Sequence, residues 1–275
     1  MGIRLGANDY GKAENRVVRI YRDTPRHEIR DVTVSTALQG DFSAAHLHGD
    51  QSRVLPTDTQ KNTVYAYAKE KGLREIEDYA LTLARHFVAD VEPVSGARIA
   101  VDEYSWERLN DHSWVRRQSE VRTTVVEVTS AGERVVSGLK DLVLLKSTGS
   151  EFAGFLTDEY TTLQETHDRI MSTSLVATWT YAGTAVEWDK TWSEVRAILL
   201  ERFASVHSLA LQQTLWEMGK AVLEAHPEIT EVSLSAPNKH HFVVDLSPFG
   251  LENPNEVFHA ADRPYGLIQA TVVRD

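Results

Sequence analysis

The segment 56–60 (PTDTQ) places hydroxyl, carboxyl and amide groups directly ahead of a helical pattern. Thr57 followed three residues later by Gln60 matches the capping box, which favours a simple helix start. The same geometry leaves the first backbone N–H groups of a helix without internal partners, and such groups attract anions. Thr57 and Asp58 are therefore either helix-start residues only or candidates for binding a ligand through N–H groups and a hydroxyl.

A second candidate segment lies within 142–169, is rich in hydroxyl groups and has little hydrophobic periodicity. Long irregular connections of this kind are often functional. Arg169 is either a solvated surface charge or a donor of two parallel hydrogen bonds to a planar acceptor. Phe152 is either part of the core or a platform on which a flat heterocycle stacks.

Two pairs of histidines carry weaker signals. His240 and His241 enter a predicted strand, where side chains alternate between faces, so both serve one site only across a bulge. His46 and His48 share a face of an extended chain, but no obvious third ligand lies nearby, so we predict no metal site. The patterns GxGxxG, GxxxxGK[ST] and GxSxG are absent from the sequence.

Composition narrows the class of protein. The chain has 275 residues, of which 42% are apolar, and no apolar run approaches the roughly 20 residues that span a bilayer. The net charge of -11 disfavours nucleic acid as a partner. The absence of cysteine excludes disulfides, cysteine-ligated metals and a cysteine nucleophile.

Periodicity predicts an order of strands and paired helices that occurs twice along the chain. In the first half, strands are predicted at 16–21, 28–39, 97–109 and 120–128, with helices at 58–70 and 74–89. In the second half, strands are predicted at 134–146, 177–188, 229–234, 241–246 and 267–274, with helices at 193–205 and 210–225.

The small polar residues at 130–133 predict a division into two halves, 1–132 and 133–275. Antiparallel strands interrupted by helix pairs predict an α+β fold with the helices on one face of each sheet. Joining several such sheets edge to edge would remove exposed strand edges, which favours an oligomeric barrel.

Taken together, three segments resemble the motifs of the urate oxidase (uricase) family. They are PTDTQKNT at 56–63, LVLLKSTGSEF and YTTLQETHDR within 142–169, and PNKHH at 237–241. Tyr10-Gly11-Lys12 and the NPNEVF segment at 253–258 fit the same family pattern. The resemblance covers essentially the whole chain.

This resemblance implies the tunnelling fold (T-fold), in which two similar halves form one chain. Chains of the family dimerise into a barrel, and two barrels stack as a homotetramer with active sites at subunit interfaces. It further implies that Thr57 and Asp58 come from one chain, whereas Phe152, Arg169 and Gln212 come from its neighbour.

The implied reaction is oxidation of urate by O2 and water to 5-hydroxyisourate and hydrogen peroxide, with no metal and no other cofactor. Arg169 would donate two hydrogen bonds to a carbonyl and a ring nitrogen of urate. Gln212 would pair with the amide edge of the urate ring. Phe152 would stack beneath the ring, and Leu211 would add an aliphatic wall. The backbone N–H groups of Thr57 and Asp58 would bind the opposite edge.

The resemblance also implies a proton relay and an oxygen site. Lys12, Thr57 and His240 match the relay triad of the family, with Lys12 lowering the effective pKa of the Thr57 hydroxyl. Asn238 would hold O2, and later water or peroxide, above the ring. His241 is expected to point away and to be structural.

Two alternatives remain open at this point: a zinc-dependent pterin or purine enzyme of the same fold, and a purine-binding protein without catalysis. Beyond urate, O2 and its own copies, the sequence predicts neither a nucleic-acid nor a membrane partner. The chain ends Val272-Val273-Arg274-Asp275 rather than in the peroxisomal Ser-Lys-Leu, so we expect a cytoplasmic enzyme of the bacterial type.

Overall fold

The structure, a computed structural model, describes residues 2–116, 119–261 and 263–275. The chain divides into two compact units. The first contains residues up to Gly138 together with Thr180–Trp192, and the second contains Leu139–Trp179 with Ser193–Asp275. The division predicted at 132/133 concerns the sequence repeat and stays a prediction. No helix within the described ranges is long and apolar enough to cross a membrane.

The described residues up to Lys146 contain seven strands and three helices. The strands are β1 (Asn15–Tyr21), β2 (Glu28–Gly40), β3 (Val94–Tyr104), β4 (Glu107–Arg108), β5 (Trp114–Val115), β6 (Val121–Thr129) and β7 (Gly132–Lys146). The helices are α1 (Ser43–His48), α2 (Thr57–Glu70) and α3 (Ile76–Asp90).

The sheet of the first unit has the antiparallel order β1-β2-β3-β6. The alternation predicted for 28–39 is present in β2, where Val32, Val34 and Leu38 are fully buried. Helix α3 packs on β3 and β6, and its Leu83 and Phe87 are also fully buried. The apolar stripe of α3 therefore packs on the sheet to which β2 belongs.

One buried ion cluster crosses the first unit. Arg122 of β6 donates through one Nη to Glu77 of α3 at 2.7 Å and through the other to Asp189 at 2.5 Å. Ser137 of β7 donates to the second oxygen of Glu77 at 2.6 Å, and Glu103 lies 3.8 Å from the same guanidinium. Three carboxylates thus surround one buried arginine.

The second half of the chain contains two further helices and five further strands within the described residues. They are β8 (Met171–Tyr181), α4 (Trp188–Ser205), α5 (Leu211–Ala225), β9 (Ile229–Asn238), β10 (His241–Val243), β11 (Phe258–Ala260) and β12 (Gly266–Val273). In the second unit the order is β7-β8-β9-β12. Helix α5 packs on β9 and β12, so an antiparallel sheet again carries a helix.

Two predicted elements need correction. The strand predicted at 177–188 lies at Met171–Tyr181, and Trp188 begins α4 instead. Buried hydroxyl residues hid its first half, because Ser172 and Thr173 are 4% and 1% exposed although they are polar. The strand predicted at 97–109 ends at Tyr104, and Glu107–Arg108 forms a separate short strand.

Candidate active site

Six of the predicted site residues line one cavity of about 530 Å³ in the second unit. They are Phe152, Arg169, Leu211, Gln212, Asn238 and His240. These residues lie on three separate stretches of chain, and each stretch is placed by its own backbone hydrogen bonds. The sequence therefore identified residues that the fold brings together.

The loop between β7 and β8 carries Phe152 and Arg169. Phe152 and Thr166 exchange backbone hydrogen bonds of 2.8 and 3.0 Å, and the Arg169 N–H donates to the Ser150 carbonyl at 2.9 Å. Gly149 turns the chain with φ 70°, a left-handed conformation that glycine adopts without strain. The irregular loop is thus folded back on itself, which brings the ring and the guanidinium together.

The Arg169 side chain has no hydrogen bond or ion pair to any described residue, and its Nε is buried without a partner. Burial lowers the pKa of this guanidinium. Its Cζ lies 5.2 Å from the centroid of the Phe152 ring, and Phe155 stacks on that ring at 5.0 Å. A cation without a counter-charge beside a cavity favours binding of an anion.

Helix α5 brings its first two residues to the cavity. Its N-cap, Ala210, is extended, and the Gln213 side chain accepts a hydrogen bond of 2.9 Å from the Leu209 N–H. Leu211 is buried at 3% exposure, whereas Gln212 is exposed on the cavity side. The same helix start thus offers one apolar and one amide side chain to a ligand.

The end of β9 contributes Asn238 and His240. The expectation that His241 points away from the site is wrong, because both His240 and His241 line the cavity. The physical reason is a break in the strand, since β9 ends at Asn238 and β10 begins only at His241. Burial lowers the pKa of His240, and the charge of Arg169 lowers it further.

Lys12 lies in the first unit, in the segment that precedes β1. Its N–H donates to the Thr36 hydroxyl at 3.1 Å, and this hydroxyl donates to the Gln60 side chain of α2 at 2.7 Å. Only glycine fits at position 11, because a Cβ there would lie 1.7 Å from the Thr36 carbonyl oxygen. Thr36 therefore connects the backbone of Lys12 to the first turn of α2.

Thr57 is the first residue of α2, and the predicted capping box is wrong. Pro56 occupies the N-cap without a side-chain cap, and Gln60 bonds Thr36 instead. The Thr57 hydroxyl and the N–H groups of Thr57 and Asp58 have no partner among the described residues. The Asp58 carboxylate is held by Lys61 and Asn62 of its own helix. These contacts, and the charge of Lys12, lower the pKa of Asp58.

Within the described ranges, no three His, Asp or Glu side chains lie together in a group that could hold a metal ion. His46 and His48 lie on the short helix α1 rather than on an extended chain. Their predicted common face therefore does not form.

Several cavity residues were not predicted from the sequence as site residues. They are chiefly apolar or amide side chains, for example Ile170, Asn255, Phe258 and Ile268. Asn255 and Phe258 lie in the NPNEVF segment, which resembled the family without suggesting a role. That segment was the available signal for them.

The fold and the cavity define an α+β protein in which an aromatic ring and an unpaired arginine lie side by side at one cavity. The chain belongs to the uricase family, whose model, described as Uricase, matches residues 8–127 and 135–269. The predicted tunnelling fold and the family resemblance are confirmed by this match and by the solved structures that follow.

Among curated relatives, a uricase of Arthrobacter globiformis is 54% identical over 98% of this chain and 90% of its own length. A uricase of Dictyostelium discoideum is 36% identical over 97% of this chain and 96% of its own. The crystal structure of uricase from Arthrobacter globiformis superposes with a TM-score of 0.98 at 53% identity, covering 100% of this chain and 96% of that one.

Proposed function

We propose that this chain is a urate oxidase, converting urate, O2 and water to 5-hydroxyisourate and hydrogen peroxide. Membership of the uricase family supports this activity. At the site, the main support for this activity is the unpaired Arg169 guanidinium beside the Phe152 ring. Deprotonated urate is flat and anionic, so it supplies a negative charge for Arg169 and a ring that stacks on Phe152.

In this proposal the cavity of the second unit binds the purine. Arg169 donates two parallel hydrogen bonds to a urate carbonyl and ring nitrogen, and each charge-assisted bond contributes roughly 1.5–3 kcal/mol. Gln212 pairs with the amide edge of the ring, and Leu211 packs against it. Phe152 provides the aromatic face.

The proton relay that we propose joins Lys12, Thr57 and His240. Lys12 and Thr57 belong to segments connected through Thr36 and Gln60, and the Thr57 hydroxyl has no partner among the described residues to compete for it. The lowered pKa of His240 keeps its imidazole neutral and able to accept a proton near neutral pH. Electron-rich urate reduces O2 directly, so the protein has to position reactants and move protons.

Asn238 is the proposed holder of O2 and later of water or peroxide. It ends β9, and its strand position opposite Gly266 of β12 fixes its backbone. Its amide lines the same cavity as the arginine and the ring. An amide can both donate and accept hydrogen bonds, so it suits a small ligand that changes from oxygen to peroxide.

We also propose that the enzyme acts as a homotetramer. Thr57 and Asp58 of one protomer would then meet the cavity residues of its partner. Many apolar side chains of the second unit are exposed, among them Phe242, Val257 and Leu267, which is typical of surfaces covered on assembly. A cytoplasmic location is the matching proposal for a chain without cysteine.

The activity is tested by a urate assay on metal-stripped protein, following loss of the ultraviolet absorbance of urate together with peroxide formation. We expect oxygen-dependent loss of urate with equimolar peroxide and no requirement for added metal. Restoration of activity by zinc alone would overturn the cofactor-free mechanism. Tight urate binding without turnover would overturn the enzyme assignment.

The relay is tested separately by Thr57→Ala. Loss of a relay member is expected to lower turnover by about 10²-fold. Thr59→Ala, two residues further along the same exposed helix start, is the matched control and should retain turnover. Equal turnover in the wild type and Thr57→Ala would remove Thr57 from the mechanism.

A further inference from the structure

Glu151 forms a charged cluster outside the cavity, in the second unit. Its Oε1 lies 2.5 Å from Nε2 of His207, and its Oε2 lies 3.1 Å from Nδ1 of His167. Glu151 itself does not line the cavity. Both histidine side chains are more than half exposed, whereas that of Glu151 is 23% exposed.

The three members of this cluster lie beside Phe152, Arg169 and the start of α5, respectively. Glu151 directly precedes Phe152, and His167 lies two residues before Arg169. His207 lies shortly before Leu211 and Gln212, at the connection into α5. A single carboxylate thus bonds side chains from both neighbouring segments.

Backbone contacts join the same segments at the same points. The Glu151 N–H donates to the Ser208 carbonyl at 2.7 Å, and the Ser208 N–H donates to the Gly149 carbonyl at 2.9 Å. Asp168 accepts from the Thr148 hydroxyl at 2.9 Å and from the Gly149 N–H at 3.2 Å. The loop lacks a regular element between β7 and β8, so these contacts set its shape.

We propose that Glu151 is a positioning residue for urate binding, which holds Phe152, Arg169 and the start of α5 in register by bonding His167 and His207. The inference rests on the proposed function. Binding sites lose affinity when the groups that orient their ligand-contacting residues are loosened, even when those contacting residues are intact.

Hydrogen bonds from His207, then His167, lower the pKa of Glu151. Its carboxylate is therefore charged throughout the neutral range and is the group that joins the two rings. Around the cluster, Lys146 donates to the Val206 carbonyl, and Asp168 accepts from Thr148 and Gly149.

The test measures urate binding by calorimetry without oxygen, so that no turnover occurs, for wild type and Glu151→Ala. We expect the variant to bind urate about five- to tenfold more weakly, since exposed charged contacts are partly screened by solvent. Glu159→Gln, an exposed carboxylate of the same loop, should bind urate as the wild type does.

Two histidine variants keep the test decisive if Glu151→Ala does not fold. His207→Asn and His167→Asn should each weaken binding, and Glu151→Gln combined with His207→Asn should lose little more than Glu151→Gln alone. Additive losses would overturn the positioning role. Unchanged affinity in a folded Glu151→Ala that still oxidises urate would refute this inference alone. A wild type that neither binds nor oxidises urate would refute the proposed function.

Discussion

A buried arginine of the first unit, Arg122, and a half-buried arginine of the second unit, Arg169, have opposite surroundings. Arg122 is surrounded by Glu77, Glu103 and Asp189, whereas Arg169 has no carboxylate partner among the described residues. Burial opposes the charge of both. At Arg122 the carboxylates outweigh burial and the pKa is raised, while at Arg169 burial alone acts and the pKa is lowered.

The difference separates a structural charge from a ligand-binding one. A buried charge is costly unless it is paired. For Arg122, three carboxylates of the same unit offset that cost. The Nε of each arginine is buried without a partner, so the contrast lies in the remaining guanidinium nitrogens. Those of Arg122 are bonded internally, and those of Arg169 are available to an anion entering the cavity.

The largest effect is expected at the paired arginine. Glu77→Ala removes the fully buried carboxylate that bonds both Arg122 and Ser137. We expect the free energy of unfolding, measured by urea denaturation, to fall by about 3 kcal/mol or more. In the control Glu133→Ala, which breaks the more exposed pair with Arg85, the loss should stay below about 1 kcal/mol. Equal losses in the two variants would contradict a structural role for the buried cluster.

At the unpaired arginine, a substitution should weaken urate binding without lowering the free energy of unfolding. Arg169→Gln is expected to raise the dissociation constant for urate about 10²-fold, because two charge-assisted hydrogen bonds are lost. The free energy of unfolding should be unchanged or higher, since a partly buried charge without a partner is removed. Arg202→Gln, which alters an exposed arginine paired with Glu201, should leave urate binding intact. A large loss of stability in Arg169→Gln would erase the contrast with Arg122.

A smaller effect tests the geometry of the Arg169 contact rather than its charge. Arg169→Lys keeps the positive charge but cannot donate two parallel hydrogen bonds. We expect urate to bind about tenfold more weakly than to wild type, and more tightly than to Arg169→Gln. Affinity equal to wild type would mean that charge alone is recognised.

The smallest effect concerns the neighbour of Arg169. Because the pKa of His240 is lowered, the neutral ring stabilises the fold fully above the ordinary imidazole value of about 6.5, and this contribution is lost as pH falls through the lowered pKa. Arg169→Gln removes the charge of Arg169, which is one of the two causes of the lowered pKa. The titration midpoint of the His240 ring should therefore rise, although burial should keep it below the ordinary imidazole value. An NMR titration of the His240 ring measures this midpoint, and an unchanged midpoint would exclude the charge of Arg169 as a cause.

Local patterns predicted the regular elements well where apolar periodicity was intact. The alternation in β2 and the helical spacing in α3 were visible because each has one buried face. The same method misplaced β8, since its first residues are buried hydroxyls with a polar appearance. It also missed α1, whose six residues contain no buried side chain.

The candidate site shows a similar limit. Phe152 and Arg169 were identified by motif, but their proximity depends on the Phe152–Thr166 and Ser150–Arg169 backbone bonds. The orientation of His241 was predicted wrongly, because alternation holds only within an unbroken strand. The capping box was wrong for a related reason, since Gln60 found a tertiary partner in Thr36.

Residue types and short periodicities were sufficient for most of the element order, the α+β class, the acidic cysteine-free composition and the motifs that indicate the uricase family. These are local properties. The packing of the folded chain determines that Arg122 is paired and Arg169 is not, and that Glu151 bonds two histidines. Those outcomes depend on which distant segments pack together, because burial and pairing of a charge are properties of its surroundings in space.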